Sequence, residues 1–187
     1  MDFTPTPSQT VGPYLHLGLT DARSIARVAS EGVKGERVWL TFRVLDGEGV
    51  PVPDAMIEVW HADSEGNYAH HDAGEDDAAF CGFGRLATAD DGSCTFETIK
   101  PGRVPGAGGA AQAPHINVSI LGRGILKRLS TRLYFEGEPA NAADPVLALV
   151  PENRRATLLA KPDLIRSGNW ILDVHLRGKS ETVFFDV

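Results

Sequence analysis

The chain has 187 residues, of which 42% are hydrophobic and 23% charged, an ordinary balance for a globular domain. Its net charge is -7 and its 18 Lys and Arg residues are scattered, so neither nucleic acid nor an anionic membrane surface is an expected partner. No apolar run is long enough for a bilayer, no signal peptide is visible, and Cys81 and Cys94 are the two cysteines. We therefore expect a cytoplasmic protein with reduced thiols.

The N-terminal part of the chain predicts an extended arm, residues 1–35. Its first twenty residues hold three prolines and two glycines and show little periodicity. Proline fixes its own φ and restricts the residue before it, which disfavours a helix.

From Arg37 onward, apolar residues alternate with polar ones, which predicts short strands separated by Gly and Asp turns. Between residues 144 and 161 the spacing of apolar residues predicts short helical turns instead. The pattern indicates an all-β fold, an antiparallel β-sandwich formed by one domain, residues 1–187 including the arm. The predicted strands are 37–44, 55–61, 83–87, 94–99, 116–121, 128–135, 170–176 and 182–185.

Several residues of the predicted strands and loops could bind a metal. The most informative is the triplet His115-Ile116-Asn117, because a His-x-His pair on a strand would direct both rings to one face. An asparagine amide is a feeble ligand for a transition metal, so the triplet predicts an incomplete site. None of the candidates shows the spacing of a closed metal motif. They are His61, Tyr68, His70, His71 and His115.

Arg132 is the second unusual residue, since it lies in a predicted strand together with Leu129, Leu133, Tyr134 and Phe135. A cation there needs either a carboxylate partner or a ligand, because burying it alone is costly. A structural ion pair and a binding role both remain open from the sequence.

The order of short motifs along nearly the whole chain resembles the intradiol ring-cleavage dioxygenases. The matching segments begin with an N-terminal Gln-Thr-Val-Gly-Pro-Tyr stretch and end with a Leu-Arg-Gly stretch. They also include Val50–Asp54, Ile57–Ala62, Gly66–Tyr68, Thr98–Gly102, Pro114–Asn117 and Leu133–Gly137.

The resemblance implies a β-sandwich of the intradiol type and a non-haem Fe(III) held by two tyrosines and two histidines. Such an enzyme inserts O2 between the two hydroxyl-bearing carbons of a catechol and leaves a muconic diacid. The four ligand positions fall on Tyr68, Val104, His115 and Asn117, so two of the four ligands are missing. We therefore expect no metal site and no catalytic residue in this chain alone.

In lacking two ligands, this chain resembles the iron-free alpha-type subunit of the heteromeric intradiol dioxygenases. In those enzymes a homologous beta subunit holds the Fe(III). The resemblance then implies a hetero-oligomer acting on an aromatic dihydroxy acid and O2, with no nucleic acid or membrane partner. This chain would wall the substrate pocket of its partner. The substrate-binding residues implied are Thr10, Gly12, Pro13, Tyr14 and Arg132.

Two other hypotheses for the function of the chain can be compared with this one. The segments 44–59 and 91–102 also resemble transthyretin-like or carboxypeptidase-regulatory-like domains, which are binding modules that need no metal. That hypothesis leaves the arm and the Pro-His-Ile segment unexplained. A self-sufficient metalloenzyme using His61, His70 or His71 has no support from their spacing.

Overall fold

The computed structural model describes residues 9–20, 24–69 and 80–186, and its main elements are strands. Helical segments are short: a π-helical turn at Leu15–Thr20, an α-helix at Glu152–Arg155 and several 3-10 turns. The strands are β1 (Arg37–Leu45), β2 (Ala55–Trp60), β3 (Phe83–Ala87), β4 (Ser93–Ile99), β5 (Val104–Pro105), β6 (Ala111–Gln112), β7 (His115–Gly122), β8 (Leu129–Phe135), β9 (Leu159–Pro162) and β10 (Asn169–His175).

Eight of these strands form one sheet in the order β3-β2-β7-β8-β9-β10-β1-β4, and β5 pairs with β6 separately. The strand β9 joins the two halves of the sheet, because it pairs with β8 on one side and β10 on the other. The predicted sandwich is therefore present, but its purely antiparallel arrangement is wrong. The pairs β1–β10 and β8–β9 are parallel, and each of these pairs needs a long connection, which alternation within a strand does not reveal.

The core lies between the two halves of the sheet. Alternate residues of β1 are fully buried there, and they meet inward side chains of β2, β4, β7, β8 and β10. Phe42 and Phe96 pack edge to face, with ring centroids 5.9 Å apart. Burying each such ring stabilises the fold by roughly 1.5–3 kcal/mol, so this pair on the neighbouring strands β1 and β4 contributes to the core from one half of the sheet.

Part of the predicted arm completes the sheet instead of extending from it. The backbone N–H of Ile25 donates to the Arg85 carbonyl of β3, and the N–H of Val28 donates to the Glu97 carbonyl of β4, both at 2.8 Å. Val28 is buried, and a Cβ on Gly84 would lie 2.8 Å from it. This segment therefore links the two outer strands β3 and β4.

Three local predictions differ from the structure. The arm prediction missed the turn at Leu15–Thr20, in which the buried Leu15 anchors the chain. The last part of the predicted helical region forms β9, because a four-residue segment is too short for its periodicity to distinguish a strand from a helical turn. Residues 182–185 form only one bridge, from Phe185 to Ser130, where a strand was predicted.

Within the described ranges, no helix is long and apolar enough to cross a membrane.

The turn at residues 63–67 yields a stability prediction. Gly66 has a φ of +88°, and a Cβ there would lie 2.0 Å from the carbonyl oxygen of Arg103. Gly32 has the same φ of +88° but open space around its Cβ position. We expect Gly32→Ala to lower the free energy of unfolding by roughly 1–2 kcal/mol through backbone strain alone. Gly66→Ala should cost about 1–3 kcal/mol more because of the clash.

Urea unfolding monitored by circular dichroism measures both variants. Equal losses of stability in the two variants would contradict the tight packing of this turn against Arg103.

Candidate ligand-binding cleft

A cleft of about 970 Å³ lies on the outer face of β2, β3, β7 and β8, opposite the core. Its floor consists of side chains that alternate away from the core along these strands. Trp60 on β2 is 48% exposed there, so part of its ring is available for contact with a ligand or a partner. Other residues that line it are Phe83, Asn117, Ser119, Arg128 and Arg132.

Tyr68 and Asn117 form one contact at this cleft. The Asn117 amide nitrogen lies 3.3 Å from the Tyr68 hydroxyl and donates to it. The Tyr68 ring also stacks on Trp60, with centroids 4.5 Å apart. The preceding turn is held by Asp63, whose carboxylate accepts from the backbone N–H groups of Glu65 and Asn67. The structure therefore brings Tyr68 and Asn117, two of the four expected ligand positions, together, and their side chains form a hydrogen bond with each other.

His115 begins β7 and is buried. Its Nδ1 lies 2.7 Å from the Ala113 carbonyl, so this nitrogen donates and Nε2 carries the lone pair. Nε2 is buried without a hydrogen-bond partner among the described residues. Burial lowers the pKa of His115, and the nearby positive charge of Arg132 lowers it further. His115 is therefore a neutral ring with one free acceptor.

Arg132 lies on β8, directly opposite Asn117 of β7. Its Nη1 donates to the Gln112 side-chain oxygen at 2.7 Å and to the Tyr134 hydroxyl at 3.3 Å. Both acceptors are neutral, and within residues 9–20, 24–69 and 80–186 no carboxylate forms a salt bridge with the guanidinium. Of the two alternatives that the sequence leaves open for Arg132, the structural ion pair is therefore not found in this part of the chain.

Asp144 accepts a hydrogen bond that holds Tyr134, the neighbour of Arg132, in place. It is 1% exposed, and its carboxylate accepts from the backbone N–H of Ala113 at 2.7 Å and of Leu147 at 2.7 Å. It also accepts from the Tyr134 hydroxyl at 3.1 Å, and burial raises the pKa of Tyr134 to about 12. Tyr134 therefore stays protonated, and its oxygen is oriented toward Arg132.

The residues present do not fit the ferric ion that the family resemblance implies. Val104 offers no donor atom, the Tyr68 hydroxyl is already bonded to the Asn117 amide, and a permanent cation, Arg132, lies beside them. In the described part of the chain, no cluster of three His, Cys, Asp or Glu residues could hold a metal. The cleft can bind a ligand, but it lacks the donor set for iron.

His61, another metal candidate, is a buried structural residue. Its Nδ1 lies 2.8 Å from the Ala62 carbonyl and its Nε2 lies 2.9 Å from the Thr98 hydroxyl, so neither nitrogen is available to a metal. His70 and His71 lie outside the described residues.

The arm residues predicted to bind substrate lie away from Arg132. The Thr10 hydroxyl donates to the Gly122 carbonyl at 3.3 Å and accepts from the Gly124 N–H at 2.9 Å, which fixes it at the far end of β7. Five strand residues separate Gly122 from Asn117, roughly 17 Å along the strand. Within this chain the structure does not bring the arm and Arg132 together.

The remaining arm residues are accessible. Tyr14 is 70% exposed, and Gly12 has a φ of +58° with no atom within 4 Å of its Cβ position. Pro13 is exposed between them. This surface is open for contact with another chain.

Comparisons with known proteins agree with the fold and the cleft. A family model described as dioxygenase matches residues 11–186. The chain therefore belongs to the dioxygenase family, in its intradiol ring-cleaving branch. Among solved structures, the dioxygenase domain of a dioxygenase carbohydrate-binding fusion from Streptomyces sp. SirexAA-E superposes with a TM-score of 0.65 at 27% identity, covering 94% of this chain and 99% of that one.

Similar proteins within this family include both chains of one enzyme. The chain is 46% identical to the protocatechuate 3,4-dioxygenase alpha chain of Burkholderia cepacia, over 97% of both chains. The beta chain of the enzyme from the same organism is 38% identical, over 79% of this chain and 67% of its own length. The family resemblance is confirmed, and the comparisons favour it over the transthyretin-like or carboxypeptidase-regulatory-like alternative.

Burial of His61 yields a pH prediction. Burial lowers the pKa of His61 to about 4, whereas in the unfolded chain the pKa of this ring is near its ordinary value of 6.5. Below pH 6.5 the unfolded chain binds a proton that the folded chain does not, so stability should fall as the pH drops from 7 to 4. His61 should account for about 3 kcal/mol of that loss.

Urea unfolding across this pH range measures the effect, and His61→Gln should flatten the slope. An identical slope in the variant would contradict the assignment.

Proposed function

We propose that the chain is the alpha-type subunit of a protocatechuate 3,4-dioxygenase. Together with a homologous beta subunit that holds Fe(III), it forms a hetero-oligomer that cleaves protocatechuate with O2 to 3-carboxy-cis,cis-muconate. The observation that carries the proposal is the cleft of a ring-cleaving dioxygenase with Val104 and Asn117 at two ligand positions. The 46% identity to an alpha chain supports it. We place the complex in the cytoplasm, as the composition predicts.

In this proposal the chain contributes binding surface, and the bound iron of the beta subunit supplies the redox chemistry. The family uses the iron to bind both oxygens of the catechol. The cleft of this chain has no equivalent group, because a guanidinium can pair with an anion but cannot form coordinate bonds. Its residues can therefore hold and orient an anionic ring or a partner segment, and they can exclude water from it.

The arm is one contact that we assign to the partner. Thr10 fixes its start through hydrogen bonds to Gly122 and Gly124. Gly12 and Pro13 add little side-chain bulk, so their backbone can approach a flat ring closely. The exposed Tyr14 ring would then be covered by the beta subunit and would wall its substrate pocket.

Arg132 is a second, separate contact. Its guanidinium faces the cleft with neutral hydrogen-bond acceptors, so its charge is not balanced by a salt bridge within the described residues. Its planar fork suits a carboxylate, which either the substrate or the beta subunit supplies. Thr10, which anchors the arm, lies at the other end of β7 from Arg132, so the two contacts are separate within this chain.

Reconstitution tests the proposal. The isolated chain should bind little iron and show no ring-cleaving activity toward protocatechuate, because it lacks two of the four ligands. Activity and the red tyrosinate-to-iron absorption should appear once a beta subunit is supplied. The control is the beta subunit alone, assayed at the same iron content. Stoichiometric iron with full activity in the isolated chain would refute the proposal.

A second prediction concerns the two contacts in the assembled complex. Tyr14→Ala and Arg132→Ala should each raise the KM for protocatechuate or slow turnover, roughly tenfold or more for Arg132 if a desolvated charge pair is lost. The iron content of the beta subunit should not change, since neither residue is a ligand. Leu164, which is 97% exposed on a distant turn, provides the control Leu164→Ala. Wild-type kinetics in either variant would remove that residue from the substrate pocket.

A further inference from the structure

The guanidinium of Arg132 is held through one of its nitrogens. Nη1 donates to the side-chain oxygen of Gln112 and to the Tyr134 hydroxyl. Nε and Nη2 have no hydrogen-bond partner among residues 9–20, 24–69 and 80–186, and neither is one of the buried polar atoms that lack a partner in those ranges. These two nitrogens are therefore accessible in the cleft that Arg132 lines.

Nε and Nη2 form one edge of a guanidinium, and this edge matches the two oxygens of a carboxylate. Two other arginines of the chain use the same edge. Arg43 donates to both carboxylate oxygens of Asp173 through Nε and Nη2, and Arg85 donates to Glu58 through the same two nitrogens. The edge that a carboxylate fills in these two residues is open in Arg132.

The two acceptors of Arg132 orient its side chain without neutralising it. The Gln112 amide oxygen is uncharged, and the Tyr134 hydroxyl accepts because it donates its own proton to Asp144 at 3.1 Å. An acidic side chain in the place of Gln112 would balance the positive charge of the guanidinium. Neutral acceptors fix the group and leave its charge for a ligand, and a charge-assisted hydrogen bond is about twice as strong as a neutral one.

We propose that the Nε–Nη2 edge of Arg132 is a carboxylate-binding site and that Gln112 and Tyr134 are the positioning residues that direct it into the cleft. The inference rests on the proposed function and makes it more specific, because it names the atoms that meet the carboxylate and the residues that orient them. The carboxylate belongs either to the aromatic acid or to a side chain of the beta subunit, and the experiment below separates these two sources.

The variant Gln112→Glu tests the inference in the reconstituted complex with the beta subunit. It keeps the size of the side chain and its acceptor oxygen, but it places a negative charge against Nη1 of Arg132. Two quantities are measured. The first is the ratio of the inhibition constants of 4-hydroxybenzamide and 4-hydroxybenzoate, which differ in the charge of one substituent. The second is the dissociation constant of the two subunits, obtained from a dilution series followed by mass photometry.

We expect one of these quantities to change roughly tenfold, because the charge of the guanidinium is then already balanced. A weaker preference for the acid over the amide, with unchanged subunit affinity, assigns the carboxylate to the substrate. Weaker subunit affinity with an unchanged preference assigns it to the beta subunit. Tyr134→Phe removes one of the two acceptors and should change the same quantity by roughly two- to tenfold, the effect of one hydrogen bond.

The matched control is Asn153→Asp, which adds the same negative charge at an exposed residue that does not line the cleft, and it should change neither quantity. An active complex in which Gln112→Glu leaves both quantities unchanged would overturn this inference alone, as would an equal change caused by Asn153→Asp. A wild-type complex without ring-cleaving activity would instead contradict the proposed function. Circular dichroism establishes that each variant is folded, and should Gln112→Glu fail to fold, the same outcomes apply to Tyr134→Phe.

Discussion

The pairing of β7 with β8 is the constraint on which the cleft depends. This register sets His115 opposite Tyr134 and Asn117 opposite Arg132, all at one end of the two strands. A shift of one strand by one residue would turn either Asn117 or Arg132 into the core and bring apolar residues of that strand to the surface. The apolar residues of β7, buried between the halves of the sheet, therefore also fix the chemistry of the outer face.

Asp144 keeps this end of the strands in place. A buried carboxylate is costly unless its oxygens are fully bonded, and here backbone N–H groups and the Tyr134 hydroxyl satisfy it. The carboxylate links the segment before β7 to the helical turns after β8. Because Tyr134 donates to Asp144, its hydroxyl oxygen can accept from Arg132. The hydrogen bonds therefore run from the buried Asp144 through Tyr134 to the guanidinium of Arg132 in the cleft.

Most strands could be predicted because their residues alternate regularly, as in β1, where Phe42 faces the core. The parallel pairs could not, since a period of two residues carries no information about strand direction. The brief strand β9 was missed because its four residues fit a helical turn equally well. The closing segment around Val28 was missed because it holds the outer strands through backbone bonds that leave no pattern in the sequence.

The site was predicted in part. The family resemblance pointed to Tyr68, His115 and Asn117, and the charge of Arg132 beside Leu133, Tyr134 and Phe135 singled it out. Its partners were not foreseen. Gln112 lies on a two-residue strand after a glycine-rich loop, and Asp144 reaches Ala113 across 31 residues. Long-range contacts of this kind depend on the tertiary fold, so no local sequence pattern predicts them.

The central claim is that this chain forms a cleft of the dioxygenase family that lacks the ligand set for iron and acts through a partner. A crystal structure of its complex with a beta subunit, with anomalous scattering recorded at the iron absorption edge, tests this claim most directly. We expect one iron peak per pair of chains, in the beta subunit, with Arg132 ordered beside Asn117. A peak of comparable height between Tyr68 and His115 of this chain would contradict the account.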